Sequence, residues 1–348
     1  MVVTKAQPEL TASSMLGEIA RRHRPNWAAW GVLVLALGVL PPLGGPYITA
    51  IAVTFLIWAS VAQSWNLVIG VSGVYSFAQI ALFAIGGWTT GVLTVHYGVS
   101  PWLGTLAAGF VTCLAGLAIG LPMLRLRGTY VVLLTIAFHE LVRNFVINGP
   151  EIISGGGWGL VNVPRYSFPG AGVLQDRSYF YVGLVMFLLT TGAIRYLFYS
   201  PIGLGFHALG QSEAYAIARG VSPYRSKLLL FAVSAFLTGI AGAFSAHFMT
   251  VISPSLLAWA TVINLLAMLV IGGWGSFSGP IIGAAVLTVM LEVLQGAAEY
   301  RMIAVGVALT LIAVFAPQGL APGLTAAGRA VVRFLYPPST GGTSQEDV

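Results

Sequence analysis

The chain has 348 residues, of which 57% are hydrophobic and 7% charged, and its mean hydropathy is +0.88. A soluble globular protein of this size needs more polar side chains to cover its surface. The composition therefore excludes a soluble protein and predicts a membrane protein. Because Cys113 is the single cysteine, the chain cannot form an internal disulfide. The five histidines are scattered without the spacing of metal ligands, so no metal site is predicted. The net charge is +6, but the basic residues flank apolar runs and do not form the kind of patch that binds nucleic acid.

Long apolar stretches follow one another along the chain, each near the roughly 20 residues that a membrane-spanning helix needs. Glycine- and proline-rich breakers separate them. We therefore expect an all-α polytopic membrane protein, a bundle of about ten transmembrane helices with glycine-rich broken helices. The basic segment 1–27 precedes an uncleaved first helix, because no small-residue cleavage site is evident. The predicted spans cover about 28–42, 47–69, 78–96, 102–121, 129–147, 179–199, 226–249, 258–272, 280–296 and 301–316.

The placement of lysine and arginine predicts the orientation, because basic residues are retained on the cytoplasmic side of a membrane. With the N-terminus inside, twelve of the 16 basic residues fall on cytoplasmic segments. The segment 1–27 and the tail 318–348 are therefore expected in the cytosol, on either side of a transmembrane domain over 28–317. The polar loop 200–225 falls on the cytoplasmic side, and 148–178 becomes a long external loop.

The polar loop contains the pattern of a short helix. Ser212 suits an N-cap, Glu213 the first turn, and Gly220 a C-terminal stop, which predicts about two helical turns. Such a short helix is marginal in water and needs a surface to lie on. Two interpretations remain open, a connector that rests on its own bundle and a docking helix for a cytosolic partner. The expected small apolar face consists of Ala214, Ile217 and Ala218.

Two glycine-rich breaks, within 65–87 and 271–285, interrupt the predicted helices. Non-helical backbone at membrane depth is tolerated only where protein or a water-filled cavity satisfies it. Close helix packing through small residues four apart, such as Gly116 and Gly120, is the alternative explanation for many of these glycines. The similar heptapeptides LVIGVSG (67–73) and LVIGGWG (269–275) overlap these breaks, and no repeat is inferred from them. The better candidates for a solute path, which could instead hold helices together, are Asn66, Ser76, Gln79 and Asn264.

Few ionisable residues lie within the spans. Glu140 and Arg143 are three apart on one helical face, where they favour an ion pair, whereas Glu292 lacks a local cation. The sequence contains no phosphate-binding loop, nucleophile elbow or zinc-protease motif, so we expect no catalytic residue, metal or cofactor in this chain. Unpaired acids would instead suit a passive channel or an ion-coupled carrier for a small polar solute, which is the alternative function.

Ordered motifs extend from about Asn66 to Leu320. They are NLVIGVSGVYSFAQIALFAIGGW, LRLRGTYVVLLTIAFHELVR, GGWGLVNVP, SPIGLGFHALGQSEAYAIARGVSPYRSKLLLFAVSAFLTGIAGAF, ISP, LVIGGWGSFSGPIIGAA and FAPQGL. In this order and spacing they resemble the permease subunit of branched-chain amino-acid ABC transporters, of the LivM type.

The resemblance implies one half of an ATP-driven importer for branched-chain amino acids or a related small organic solute, in a bacterial or archaeal inner membrane. It implies a second homologous permease, two cytosolic subunits that bind ATP and magnesium, and an extracytoplasmic solute-binding protein. It also implies that 210–220 is the coupling segment, inserted into a cleft of an ATPase. The coupling residues would be Gly210, Ser212, Glu213, Ala216, Ala218 and Gly220.

Overall fold

A computed structural model describes residues 27–126, 128–167, 175–316 and 319–321. Within these ranges the chain is a bundle of apolar helices, which confirms the all-α polytopic fold class. The predicted cytosolic segment 1–27 and tail 318–348 lie almost entirely outside the described residues. In chain order the α-helices are α1 (Trp27–Asn66), α2 (Gln79–Val95), α3 (Pro101–Met123), α4 (Thr129–Asn148), α5 (Glu151–Ser154), α6 (Gln175–Tyr199), α7 (Pro201–Gln211), α8 (Glu213–Ala218), α9 (Pro223–Met249), α10 (Trp259–Gly272), α11 (Gly279–Val293) and α12 (Arg301–Phe315).

Six helical stretches among the described residues are long and apolar enough to cross a membrane. They are Gly45–Val71, Pro101–Met123, Thr129–Asn148, Arg177–Tyr199, Pro223–Met249 and Gly279–Gly296. Three shorter apolar helices match further predicted spans, namely Gln79–Val95, Trp259–Gly272 and Met302–Ile312. The remaining prediction, 28–42, is the first part of α1, which continues across a kink at Gly45, where φ is 67°. Gly45 is not helical, so the proline- and glycine-rich sequence separates two helical segments within α1, as the two predicted spans require.

Helix α9 lies at the centre of the bundle and packs against α1, α2 and α3. Glycines permit these close crossings. A Cβ added to Gly86 on α2 would lie 2.6 Å from the Cα of Gly239 on α9, and one added to Gly116 on α3 would overlap Ala235 of α9. Close packing by small residues is therefore the role of Gly116, as one of the two sequence interpretations predicted.

The two ends of the bundle differ. At one end, which we call the coupling end because the resemblance implies that role for 210–220, α6 finishes and α9 begins, with α7 and α8 between them. At the opposite end, strand β1 (Leu160–Val161) pairs antiparallel with strand β2 (Val251–Ile252). The imidazole of His247 contacts the Pro164 carbonyl oxygen at 2.7 Å. These bonds fasten the described part of the predicted external loop 148–178 onto the bundle.

Replacing Gly86 with alanine is expected to lower the free energy of unfolding by about 1–3 kcal/mol, the usual cost of overpacking a core. The added methyl group would press on the backbone of Gly239. Gly192→Ala on α6 is the matched control, because a Cβ there has nothing within 4 Å. Thermal unfolding of the detergent-solubilised protein tests this expectation. Equal unfolding midpoints for the two variants would contradict the packing assignment.

Candidate functional site

The loop at the coupling end folds as two helices. Helix α7 begins where Ser200 Oγ accepts a hydrogen bond from the Gly203 N–H at 3.2 Å, with Pro201 at its first position. This helix was not predicted from the sequence, although a serine N-cap followed by proline is a recognised helix start. Helix α8 confirms the predicted caps, since Ser212 Oγ accepts from the Tyr215 N–H at 3.4 Å and Gly220 has a φ of +81°.

Helix α8 rests on the bundle through one small residue and leaves most of its surface uncovered by the described residues. Ala216 is fully buried, whereas the side chains of Tyr215 and Ile217 are 56% and 55% exposed. Lys227 on α9 forms an ion pair with Glu213 at 3.2 Å and ties the start of α8 to the bundle. All three residues of the expected apolar face remain exposed: Ala214, Ile217 and Ala218.

Helix α7 contacts the first glycine-rich break directly. A Cβ added to Gly210 would lie 2.6 Å from the carbonyl oxygen of Val71, and one added to Gly73 would lie 3.4 Å from the backbone of Gly210. Gly73 itself has a φ of +68°, which favours glycine. Backbone therefore rests on backbone at this contact. The end of α7 and the break after α1 move together unless this contact opens.

The first break is in turn clamped to the second. The Asn66 Nδ2 group donates to the Ser276 carbonyl oxygen at 2.9 Å, and the Gly275 N–H donates to Asn66 Oδ1 at 2.8 Å. A Cβ on Gly70 would lie 2.9 Å from the Gly275 Cα, so only glycine fits there. The two similar heptapeptides, LVIGVSG and LVIGGWG, thus lie against each other. We call this set of contacts the Asn66 clamp.

Aromatic side chains also connect the second break to the ends of α6 and α7 at the coupling end. The ring centroid of Phe277 lies 6.0 Å from that of Phe198 and 6.3 Å from that of Tyr199, both at the end of α6. The Arg195 guanidinium lies 5.0 Å from the Tyr199 ring and 5.7 Å from that of Phe277. The His207 ring on α7 lies 4.7 Å from Phe198. The coupling end therefore contacts both breaks.

Two of the other predicted path residues make hydrogen bonds within the bundle. Gln79 Nε2 donates to Thr238 and, at 3.3 Å, to Ser234 on α9. The Ser76 carbonyl oxygen accepts from the Trp65 indole N–H at 2.6 Å. Asn66, Ser76 and Gln79 are all buried. These contacts fit the alternative in which such residues hold helices together, and their part in a solute path remains a prediction.

The fourth path residue, Asn264, lines a cavity of about 440 Å³. The cavity lies towards the opposite end of the bundle, because Ile252 and Ser253 of the β2 region also line it. No charged side chain of the described residues lines this cavity. Hydroxyl and apolar side chains share its surface, among them Thr54, Trp58, Phe83, Ser245, Thr261 and Met268.

The intramembrane acids have partners. Glu140 forms the predicted ion pair with Arg143 at 3.3 Å and also accepts from the Trp259 indole N–H at 2.8 Å. Glu292 accepts from Gln295 Nε2 at 2.6 Å. One of the two acids that the ion-coupled alternative needs is therefore neutralised within the chain. Among the described residues, no group of three or more metal-ligating side chains lies together.

Comparisons with known proteins agree with this architecture. A family described as the branched-chain amino acid transport system permease component matches residues 47–315. Two similar proteins share the name high-affinity branched-chain amino acid transport system permease protein LivM. The one from Salmonella typhimurium is 32% identical to this chain and the one from Escherichia coli is 31% identical. Each match extends over 295 residues, 78% of this chain and 69% of the relative. No solved structure matches the chain. With the family matched over most of its length, this multi-pass membrane protein belongs to the branched-chain amino acid transport permeases.

Proposed function

We propose that this chain is one permease subunit of an ATP-driven importer for branched-chain amino acids or a related small organic solute. The names of the two relatives support the solute class. The complex would contain a second homologous permease, two cytosolic subunits that hold ATP and magnesium, and an extracytoplasmic solute-binding protein. We place it in a bacterial or archaeal inner membrane, with both termini in the cytosol and the loop 148–178 towards the binding protein.

The uncovered surface of α8 is the observation that carries this proposal. The helix is capped at both ends and tied to α9 by Glu213 and Lys227, yet one side of it, formed by Ala214, Ile217 and Ala218, is exposed. An exposed apolar helix face of this kind suits insertion into the cleft of a partner. The chain itself contains no recognisable motif for hydrolysing ATP, so the work of transport would enter through this contact.

The contacts at the coupling end would transmit a displacement of α8 to the membrane-spanning helices. Closure of the ATPase dimer would displace α8 and, with it, the end of α7. Gly210 would push on the backbone of Val71 and Gly73, and the Asn66 clamp would carry the displacement to the second break. Helices α1, α10 and α11 adjoin these breaks, so their far ends would rock between outward-open and inward-open arrangements.

Gly210→Ala is expected to lower the solute transported per ATP hydrolysed by about fivefold or more, the effect of losing roughly 1 kcal/mol of coupling free energy. The added Cβ would separate α7 from the Val71 carbonyl oxygen. Gly205→Ala on the same helix is the matched control, since its Cβ would make an ordinary contact at 3.5 Å with Val221. The measurement is leucine uptake and ATP hydrolysis by the complete complex in proteoliposomes.

Two outcomes of this experiment would count against the proposal at different levels. Equal transport per ATP in the two glycine variants would reject the route through Gly210 and leave the importer intact. Concentrative leucine uptake by the wild-type chain without an ATP-hydrolysing partner would reject the importer itself.

Asn66→Leu is expected to reduce the maximal rate of uptake without changing the preference between leucine and valine. The substitution removes both hydrogen bonds of the clamp and leaves the Gly275 N–H unpaired, at a cost of about 1–3 kcal/mol. A residue that instead contacts the solute would alter the preference. Competition between the two labelled amino acids distinguishes these roles, and a shifted preference would return Asn66 to the solute path.

The proposed orientation predicts opposite labelling of the two ends of the bundle. In a Cys113→Ser background, Ile217→Cys should react with a membrane-impermeant maleimide only after cells are opened. Val161→Cys, on strand β1, should react in intact cells. Both side chains are exposed in the described structure, at 55% and 48%, so a difference in labelling reports sidedness. Labelling of residue 217 from outside would reverse the assigned orientation.

A further inference from the structure

A groove of about 540 Å³ separates α4 from α2 and α3. Trp88 of α2 and Val142 of α4 line it and are buried, so they form its floor. Val111, Leu141 and Phe145 also line it but are exposed, so they form its rim. The groove is therefore open on the outer surface of the bundle. We call it the apolar groove.

The wall of the apolar groove is suited to hydrocarbon. Of the described residues that line it, Thr89 alone carries a polar group and none carries a charge. An ordered water needs two to four polar partners, which this wall does not supply. An empty space would cost the lining side chains their van der Waals contacts. The occupant that fits is therefore uncharged and apolar.

Exposed aromatic residues show the depth of the groove in the membrane. Tyr97 and Trp102 lie at the junction of α2 and α3, where they are 71% and 46% exposed, and such residues are typical of the membrane–water interface. Ile85 and Leu93 line the groove 12 and 4 residues before Tyr97. At the rise of an α-helix they lie about 18 and 6 Å below it. Half of the hydrocarbon core is about 15 Å thick, so the groove opens into the acyl chains of the leaflet on the β1 side.

Helix α4 is held away from α3 by bonds on its other side. Glu140 accepts from the Trp259 indole N–H at 2.8 Å, and His139 Nε2 contacts the Leu257 carbonyl oxygen at 3.0 Å. Both partners belong to α10 and the segment just before it. Of the six candidate spans, the one on α4 is also the least buried, at 28%. The rim of the groove is thus continuous with the surface that these spans present to the bilayer.

A helix of another subunit is the competing occupant, and its size argues against it. A helix with its side chains is 10–12 Å wide, so a stretch that crosses half of the hydrocarbon core fills on the order of 1,000 Å³. This is about twice the volume of the groove. A single acyl chain is much thinner than a helix and is already present at this depth.

We propose that the apolar groove binds one acyl chain of a membrane phospholipid from the leaflet on the β1 side. The chain fills the space between α4 and the pair α2 and α3 and rests on Trp88 and Val142. This assignment depends neither on the transported solute nor on the ATPase subunits, so it goes beyond the proposed function.

The experiment is photocrosslinking from the lipid. The purified full-length chain, with the subunits that copurify with it, is placed in vesicles of phosphatidylethanolamine and phosphatidylglycerol. A minor fraction of phosphatidylcholine carries a diazirine on one acyl chain, and adducts are located by mass spectrometry after illumination. We expect adducts on Trp88 and Val142, which are only 5% and 7% exposed and which a chain outside the groove does not reach. Leu189 on α6, 68% exposed, serves as the internal standard for lipid on the outer surface.

A variant that fills the groove tests the position of the chain. Val92 lines the groove, so Val92→Trp should lower the yield of adducts on the α4 peptide that contains Val142 at least threefold, relative to the Leu189 peptide. Val289→Trp on α11 is the matched control, because Val289 is 57% exposed and does not line the groove. Its yield should equal that of the wild-type chain. The adducts of the wild-type chain decide the question if Val92→Trp fails to assemble.

Two results would overturn this inference. The first is the absence of adducts on Trp88 and Val142 in the wild-type chain, which is the result expected if a helix of another subunit covers the groove. The second is an equal yield on the α4 peptide in the two tryptophan variants. Because the readout involves neither uptake nor ATP hydrolysis, the lipid site and the importer are tested separately.

Discussion

The need to satisfy backbone groups inside a membrane governs this structure. Where α1 ends and where α10 gives way to α11, glycine-rich segments release N–H and C=O groups that lipid cannot bond. The Asn66 side chain, at the first break, satisfies two backbone groups of the second: its oxygen accepts from the Gly275 N–H and its nitrogen donates to the Ser276 carbonyl oxygen. The close approach of Gly70 and Gly275 makes these bonds possible, since a side chain at either position would push the segments apart.

These contacts connect the two ends of the helical bundle. The clamped breaks lie against α7 through Gly210, so the coupling end forms one continuous set of backbone contacts. Helix α10 extends from the second break towards the opposite end, where Asn264 lines the cavity. A displacement applied at α8 would thus reach this cavity through a helix whose other end is held at the second break. The pairing of β1 with β2 lies at the same end of the bundle.

Local patterns predicted much of this architecture, and tertiary contacts account for what they missed. Apolar runs located the spans, Ser212 and Gly220 marked the ends of α8, and the spacing of Glu140 and Arg143 predicted their ion pair. Helix α7 was missed although Ser200 and Pro201 supply its start signal. The partners of Asn66 lie 209 and 210 residues away, a distance over which no local pattern operates. For the same reason the sequence could not separate Asn66, which is saturated by protein, from Asn264, which lines a cavity.

The decisive question is whether helix α8 and the second break move as one body. Spin labels at positions 217 and 274, both exposed in the described structure, allow their separation to be measured by pulsed electron paramagnetic resonance in the complete complex. We expect the same distance with and without trapped nucleotide, and a changed distance from position 217 to position 161 at the opposite end. A nucleotide-dependent shift between positions 217 and 274 would show that the Asn66 clamp and the contact at Gly210 do not transmit the motion.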